Sequence, residues 1–212
     1  MKAEDLYITS SVVVRSKRAV HNGIVFFEKK DGDALSFVKE LYKELKCDYS
    51  KFYKMDNLCK LAFAATELLL LNRTINCPKE EVALVFSNAG SSLDTDKTYY
   101  ASVEDKSNYF PSPAVFVYTL PNIMMGEICI RHQFQGENAF FIAEKFDADL
   151  LVDYSANLLT SGKAKCVIAG WVEINENGWD AALFLIEKTA KENSGTRLSK
   201  ESLNEIYALK KD

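Results

Sequence analysis

The chain has 212 residues, 48% of them hydrophobic and 12% aromatic, which is enough apolar material for a sizeable core and excludes a disordered chain. Lys and Arg number 26 against 30 Asp and Glu, and the net charge of −4 argues against general nucleic-acid binding, which needs a basic surface. No apolar run approaches the ~20 residues that span a bilayer. Five cysteines at no paired spacing, in a chain without a recognisable signal peptide, predict reduced thiols in a soluble cytoplasmic protein.

Apolar runs and helical spacings alternate along the chain and predict an α/β fold with parallel βαβ units. Strands are expected at residues 6–14, 23–27, 82–86, 139–143, 165–174 and 181–187. Helices are expected at residues 35–45, 55–71, 121–131, 149–161 and 203–209. Loops are expected at residues 87–96, which are polar and small, at 109–113, where Pro111 and Pro113 forbid strand pairing, and at the turn 175–178.

The domain organisation is simple, because no repeat, linker or low-complexity tract interrupts the pattern. We predict one domain over residues 1–190 and a polar C-terminal extension with a short helix over 191–212. His21 and His132 are far apart, no Cys-x-x-Cys occurs, and the loop after residue 86 lacks the glycine spacing and lysine of a phosphate loop. We therefore expect no metal and no cofactor.

The stretch 118–131, Tyr-Thr-Leu-Pro-Asn-Ile-Met-Met-Gly-Glu-Ile-Cys-Ile-Arg, closely resembles the T-L-P-N-x-x-x-G-x-I-x-I-R segment of β-ketoacyl-acyl-carrier-protein synthases. Residues 136–138 and 162–170 are similar to that family's G-P-N and G-x-A-D-x-x-x-A-G segments. The matched motif positions include Leu120, Pro121, Asn122, Gly126, Gly136, Gly162 and Gly170. The resemblance covers most of residues 6–188 and implies the thiolase-like α/β fold. It implies one half of that fold, a βαβαβαββ-type mixed five-stranded sheet with helices packed on it.

The resemblance also indicates what the chain lacks. Counting forward from Asn138 and backward from Gly162 places Lys145 where the family has its nucleophilic Cys. The flanking Glu144, Phe146 and Asp147 differ from the family's A-C-x-S as well. A lysine amine would form a stable amide instead of a transferable thioester. The family's two histidines come from a second half for which this chain is too short, so we expect no catalytic residue.

An isolated half-fold leaves surfaces that the family covers with its second half and its dimer partner. The resemblance implies that strand 139–143 pairs with a partner across a two-fold axis and that helix 149–161 exposes an apolar face. The expected interface residues are Asn138, Ala139, Phe140, Phe141, Ile142, Leu150, Leu151, Tyr154 and Leu158. The alternative is that these are core residues of a compact domain, with residues 198–209 folding back over one face.

Three functional hypotheses follow. The first is a non-catalytic accessory or chain-length-factor-like subunit in a fatty-acid, polyketide or aryl-polyene-type pathway, forming a homodimer or a heterodimer with a full-length ketoacyl synthase. The second is an enzyme of altered acyl-transfer or lyase chemistry in which a partly desolvated Lys145 acts as base or nucleophile. The third is a scaffold that binds the acidic acyl carrier protein through the basic run Arg15, Lys17 and Arg18. No nucleic-acid or membrane partner is expected.

Overall fold

The computed structural model describes residues 6–175, 178–188 and 195–209, and over these ranges a single mixed sheet is packed between helices. The strands are β1 (Tyr7–Arg15), β2 (Arg18–His21), β3 (Ile24–Glu28), β4 (Val82–Asn88), β5 (Asn138–Ile142), β6 (Cys166–Asn175), β7 (Gly178–Glu187) and β8 (Thr196–Arg197). The helices are α1 (Ala34–Glu44), α2 (Asn57–Leu69), α3 (Leu93–Ala101), α4 (Pro113–Phe116), α5 (Ile123–His132), α6 (Ala148–Thr160) and α7 (Lys200–Ala208).

The sheet has the order β3-β2-β1-β7-β6-β4-β5, and β8 pairs with β1. Strand β4 is parallel to β5 and β6, whereas β7 is antiparallel to both of its neighbours. The predicted mixed sheet is confirmed. The expected five strands are contiguous, in the order β1-β7-β6-β4-β5, but the sheet has eight strands because β2, β3 and β8 extend it beyond β1.

The β2–β3 hairpin accounts for two of the extra strands. Asn22 and Gly23 both have positive φ values, 50° and 79°, and form the two-residue loop that reverses the chain between them. Such a loop matches the twist of a hairpin, and an Asn-Gly pair adopts it readily. This signal was available in the sequence, where β2 was not predicted.

Helices α1, α2 and α5 cover one face of the sheet, and α2 is buried along most of its length between the sheet and the other two. The sheet has a hydrophobic core on each face, and β4 contributes to both. Leu84 and Phe86 pack into the core beneath α1, α2 and α5, whereas Ala83 and Val85 pack into the core on the opposite face. Aspartates begin the helices as expected for N-caps: Asp33 accepts from the Ser36 N–H. Asp56 and Asp147 do the same for α2 and α6.

Helices α6 and α7 cover the opposite face. Leu151 and Leu158 of α6 are fully buried against the sheet, with exposed fractions of 0% and 1%, so these two predicted interface residues belong to the core of one chain. Helix α7 folds back onto α6 and β1 and buries Leu203 completely. The alternative in which the C-terminal segment covers one face is therefore what the structure contains.

Two helices begin within stretches predicted as loops. Helix α3 begins inside the polar stretch 87–96 and buries Thr95 alone among its residues, so it carries no apolar stripe. Helix α4 begins with Pro113, which fits a first turn because no intrahelical partner is needed there. Residues 176 and 177 of the predicted turn lie outside the described ranges. In those ranges no single helix is long and apolar enough to cross a membrane; only the segments Pro113–Thr119 and Ile123–His132, bent by 98°, reach that length and composition together.

Candidate functional site

Lys145 lies on the loop that joins β5 to α6. The side chains of Glu144 and Lys145 are exposed, so the partly desolvated lysine assumed by the altered-enzyme hypothesis is not found. Phe146 is buried and stacks on Tyr207 of α7, with 4.0 Å between ring centroids. Asp147 caps α6 by accepting from the Leu150 N–H at 3.0 Å. Of the four residues 144–147, Phe146 and Asp147 therefore have structural roles, and Glu144 and Lys145 face solvent.

A cleft of about 800 Å³ opens beside Lys145. It runs across the ends of β1, β6 and β7, and the loop before α6 and the end of α7 close it on one side. Trp171 and Trp179 both line it, and these are the only tryptophans of the chain. The structure thus places Glu144 and Lys145 at the rim of a cavity large enough for a small molecule.

Glu173 is a buried carboxylate in this cleft that was not recognised from the sequence. It is 3% exposed, and its Oε2 accepts from the backbone N–H groups of Ala89 at 2.6 Å and Gly90 at 2.9 Å. The carboxylate therefore fixes the loop that follows β4. The available signal was its position within the otherwise apolar stretch 165–174, since a charge in a buried strand needs dedicated partners.

The basic run proposed for acyl carrier protein is largely neutralised by neighbouring strands. Arg15 lies 3.1 Å from the Asp180 carboxylate on β7. Arg18 donates from Nε to Glu28 on β3 at 2.8 Å. Lys17, in the turn between them, has no carboxylate within ion-pair distance among the described residues. One free cation is a weak basis for binding an acidic partner.

Strand β5 is an open edge of the sheet in the described structure. Glu137 O accepts from Leu84 N–H and Ala143 N–H donates to Asn88 O, each at 2.9 Å. Because alternate residues of a parallel strand bond to the same neighbour, the backbone groups of Asn138, Phe140 and Ile142 point away from β4. Asn138 is exposed and Ile142 is 61% exposed. An unpaired edge of this kind can accept a strand from another chain.

The other predicted interface residues are half-buried. Ala139, Phe140, Phe141, Leu150 and Tyr154 all fall in this class. Phe141 makes an edge contact with Tyr154 at 5.1 Å, and the Tyr154 hydroxyl donates to Glu137 at 2.6 Å. These contacts hold α6 against β5 within the chain, so only part of each side chain remains available to a partner.

A second exposed apolar surface lies in the segment 93–120, which we call the 93–120 lobe. Its exposed apolar residues are each more than half exposed: Leu93, Tyr100, Tyr109, Phe110, Phe116, Val117 and Leu120. Phe110 reaches 80% exposure. Tyr99 packs against Phe116 at 5.3 Å, and the Ser92 hydroxyl donates to Thr119 O at 2.7 Å, so the lobe is folded. Several exposed apolar side chains in one folded segment are typical of an interface, and the aromatic residues of this segment were the available sequence signal.

The structure gives local reasons for glycine at several positions of the motif. A Cβ on Gly136 would lie 2.3 Å from Val82 O, so the chain passes too close to β4 there for any side chain. Gly162 has φ +76°, which suits the residue that ends α6. Pro121 lies in the turn two residues before α5, and Asn122 is the N-cap. The space around Gly170 and Gly126 differs. A Cβ on Gly170 would clash with Ala182 O, whereas nothing lies within 4 Å of a Cβ on Gly126.

The histidines and cysteines do not assemble a metal site or a thiol catalyst. Over the described ranges no three His, Cys, Asp or Glu residues form a group that could hold a metal. His132 lies 3.0 Å from Glu67 on α2, and Cys47 donates to the same carboxylate. Burial alone would raise the pKa of Glu67, but its contacts with His132 and Arg131 outweigh that effect and lower it. Burial and the Glu67 charge raise the pKa of the Cys47 thiol to about 12.

No protein-family profile matches the chain, and no curated protein sequence is similar to it. Among solved structures, the ishigamide ketosynthase/chain length factor matches with a TM-score of 0.61 and 16% identity, over 91% of this chain and 64% of that one. A type II polyketide synthase acyl-carrier protein in complex with its ketosynthase gives 0.59 and 12% identity, over 87% and 62%. A ketosynthase in complex with its chain length factor from Xenorhabdus doucetiae gives 0.58 and 12% identity, over 98% and 92%.

The chain therefore spans less than two thirds of the matched chain in the first two structures but nearly all of it in the third. Identities this low speak for the fold and not for the activity. The sheet order, the helices on both faces and the extent of the match confirm the fold that the residues 118–138 predict. This chain has the thiolase-like fold of ketosynthases and chain length factors.

Proposed function

We propose that this protein is a non-catalytic, chain-length-factor-like subunit that pairs with a full-length ketosynthase in a polyketide, aryl-polyene or fatty-acid-type pathway. The observation that carries the proposal is Lys145, an exposed lysine at the position that the resemblance assigns to the nucleophilic cysteine. A lysine there cannot hold a transferable thioester. An exposed ammonium also lacks the desolvation that activates catalytic lysines.

No other thiol takes over this position: Cys77, the one thiol whose pKa is lowered, lines a different cavity from the cleft beside Lys145. Cys129 is on α5, and burial raises its pKa. Cys166 is buried in β6, and its hydrogen bond with Cys77 and its burial raise its pKa well above the usual value. A thiol needs a lowered pKa and access to act as an acyl carrier. The five cysteines are free, which supports a reducing compartment such as the cytoplasm.

The open edge of β5 and the 93–120 lobe are the surfaces that we assign to the partner. The edge offers outward backbone groups at Asn138, Phe140 and Ile142, and the lobe offers exposed aromatic side chains. Backbone pairing supplies register, while aromatic side chains supply most of the apolar area that an interface buries. We favour a ketosynthase over a second copy because two of the matched structures contain a ketosynthase with a chain length factor.

Pairing is tested by producing the chain together with full-length ketosynthases from its source organism and measuring the molar mass by light scattering after size exclusion. We expect a one-to-one heterodimer. Ile142→Asp places a charge at the paired edge and should abolish the complex. The matched control is Ile24→Asp, which is 74% exposed on β3 at the opposite edge of the sheet and should leave the complex intact. A stable homodimer that ignores the ketosynthase contradicts the choice of partner.

The absence of catalysis is tested on the purified chain with radiolabelled acyl and malonyl carrier proteins. We expect no decarboxylation and no acyl label that hydroxylamine releases as a thioester. Stable thioester labelling at any cysteine overturns the proposal. Lys145→Ala should leave the output of the reconstituted ketosynthase complex unchanged, whereas a loss of activity would favour the altered-enzyme hypothesis.

In such a complex we assign acyl carrier protein to the ketosynthase partner. The neutralised pairs Arg15–Asp180 and Arg18–Glu28 support this assignment. Charge reversal of Lys17 to Glu should therefore leave the affinity for carrier protein unchanged. A fall in affinity would support the scaffold hypothesis instead.

A further inference from the structure

The cleft beside Lys145 has the size of a small-molecule site. Its volume of about 800 Å³ falls within the range of roughly 300–1,000 Å³ that ligand pockets occupy. It lies at the end of the sheet where β1 and β6 end and β7 begins, and the loop after β5 reaches it through Lys145.

Aromatic side chains line much of the cleft. Trp171 is 4% exposed and Trp179 is half-buried, so one ring is part of the core and the other presents a free surface. Phe146 and Tyr207, stacked on each other, form the wall beside Lys145. Rings of this kind favour a flat aromatic ligand, which stacks on them at little entropic cost.

The rim of the cleft carries cations without partners. Lys17, Lys30 and Lys145 all line it, and none has a carboxylate within ion-pair distance among the described residues. The neighbouring Arg15 and Lys29 are paired, with Asp180 and Glu40. Glu144 is the one exposed carboxylate of the rim that lacks a cation in the same ranges. The buried carboxylate of Glu173 also lines the cleft and is held by backbone N–H groups, not by a cation. Three lysines without carboxylate partners against these two carboxylates leave a positive balance, which favours an anionic ligand.

We propose that this cleft binds a small aromatic carboxylate, with its ring against the Phe146–Tyr207 wall on the sheet face that also holds Trp171, and its carboxylate at the Lys145 side of the rim. The apolar walls select the ring, and the free lysines select the charge. Glu144 opposes the same charge and therefore limits the affinity.

The two tryptophans make the test direct, because both line this cleft and tryptophan emission therefore comes only from its walls. The probe is phenylacetate, titrated into the full chain and followed by tryptophan emission and by calorimetry. Phenylacetamide has the ring without the charge, cyclohexylacetate has the charge without the flat ring, and phenyl phosphate replaces the carboxylate by another anion. We expect saturable binding of phenylacetate and weaker binding of the first two controls. If phenyl phosphate binds more tightly than phenylacetate, the cleft selects a phosphate ester and not a carboxylate, and the assigned ligand class is wrong.

Variants locate the site. Lys145→Met should weaken phenylacetate binding about three- to fivefold, as loss of one exposed charge pair does, and Lys17→Met with Lys145→Met about tenfold. Glu144→Gln should strengthen binding by removing the repulsion. Lys97→Met, an exposed lysine of α3 outside the cleft, is the matched control and should bind like the wild type. The proposal fails if phenylacetate gives no saturable signal up to millimolar concentrations, or if phenylacetamide binds equally well. It also fails if Lys145→Met and Lys97→Met bind alike.

Discussion

Tyr207 of α7 stacks on Phe146, the residue that follows Lys145, with ring planes only 14° apart. The Tyr207 hydroxyl donates to Asp180 at 2.6 Å, and Arg15 Nη2 donates to Tyr207 O at 2.7 Å. The C-terminal helix is thereby fastened to β1, to β7 and to the loop before α6. In this chain α7 covers part of α6.

Removing the Tyr207 ring should loosen that cover. We expect Tyr207→Ala to lower the free energy of unfolding by about 2–3 kcal/mol, because a half-buried stacked ring is lost. Tyr207→Phe keeps the ring and should cost about 1 kcal/mol for the hydrogen bond to Asp180. Tyr100→Ala, which is 62% exposed, is the control and should stay within about 0.5 kcal/mol. Denaturant titration checks all three, and equal effects of Tyr207→Ala and Tyr100→Ala would contradict the fastening role.

Two glycines of the resembling motif should respond in opposite ways to alanine. Gly136→Ala places a methyl group 2.3 Å from Val82 O, a backbone atom that cannot move aside without disturbing β4. We expect destabilisation of about 2 kcal/mol or more. Gly126 is inside α5 with open space at its Cβ, so Gly126→Ala should stabilise the chain by about 0.5–1 kcal/mol. Thermal or denaturant unfolding measures the stability of the two variants. A change of the same sign in both free energies of unfolding would contradict the prediction.

The sequence was sufficient to predict a strand or helix where that element buries a regular pattern of apolar residues. The five central strands and helices α1, α2, α5 and α6 were predicted because their apolar residues face one of two cores. Helix α3 could not be predicted in this way, because tertiary contacts hold it. Its single buried residue, Thr95, donates to Asp56 on α2 at 2.6 Å.

In the candidate site, too, the local sequence predicts some features and tertiary contacts determine the others. The position of Lys145 before α6 followed from the resemblance, but its exposure did not, because exposure depends on how α7 and the neighbouring strands meet. The pair Arg15–Asp180 illustrates this point, since the antiparallel register of β1 and β7 brings two residues from opposite ends of the chain opposite each other. Spacing within one segment contains no information about such a pairing.

His21 should make the stability depend on pH near neutrality. Burial, and secondly the charge of Arg73, lowers its pKa below the usual 6.5. The unfolded chain then binds more protons than the folded chain as the pH falls through 6.5, so stability decreases towards acid until the folded pKa is passed. We expect the free energy of unfolding to decrease as the pH falls through the ordinary histidine pKa of about 6.5, and this part of the decrease to vanish in His21→Gln. An identical pH profile for the variant would show that other groups are responsible.

Cys77 should be the most reactive of the five cysteines. Its hydrogen bond with Cys166 lowers the pKa of the Cys77 thiol, whereas the pKa values of the other four thiols are all raised. Cys77 is also half-buried at the wall of a cavity of about 660 Å³, which gives a reagent access. Because the thiolate is the reacting form, we expect iodoacetamide at neutral pH to alkylate Cys77 first, as read by peptide mass spectrometry over time. Cys77→Ser should remove the fast phase, and Cys129→Ser, an equally half-buried position, should keep it. Early labelling at Cys129 or Cys47 instead would contradict the assignment.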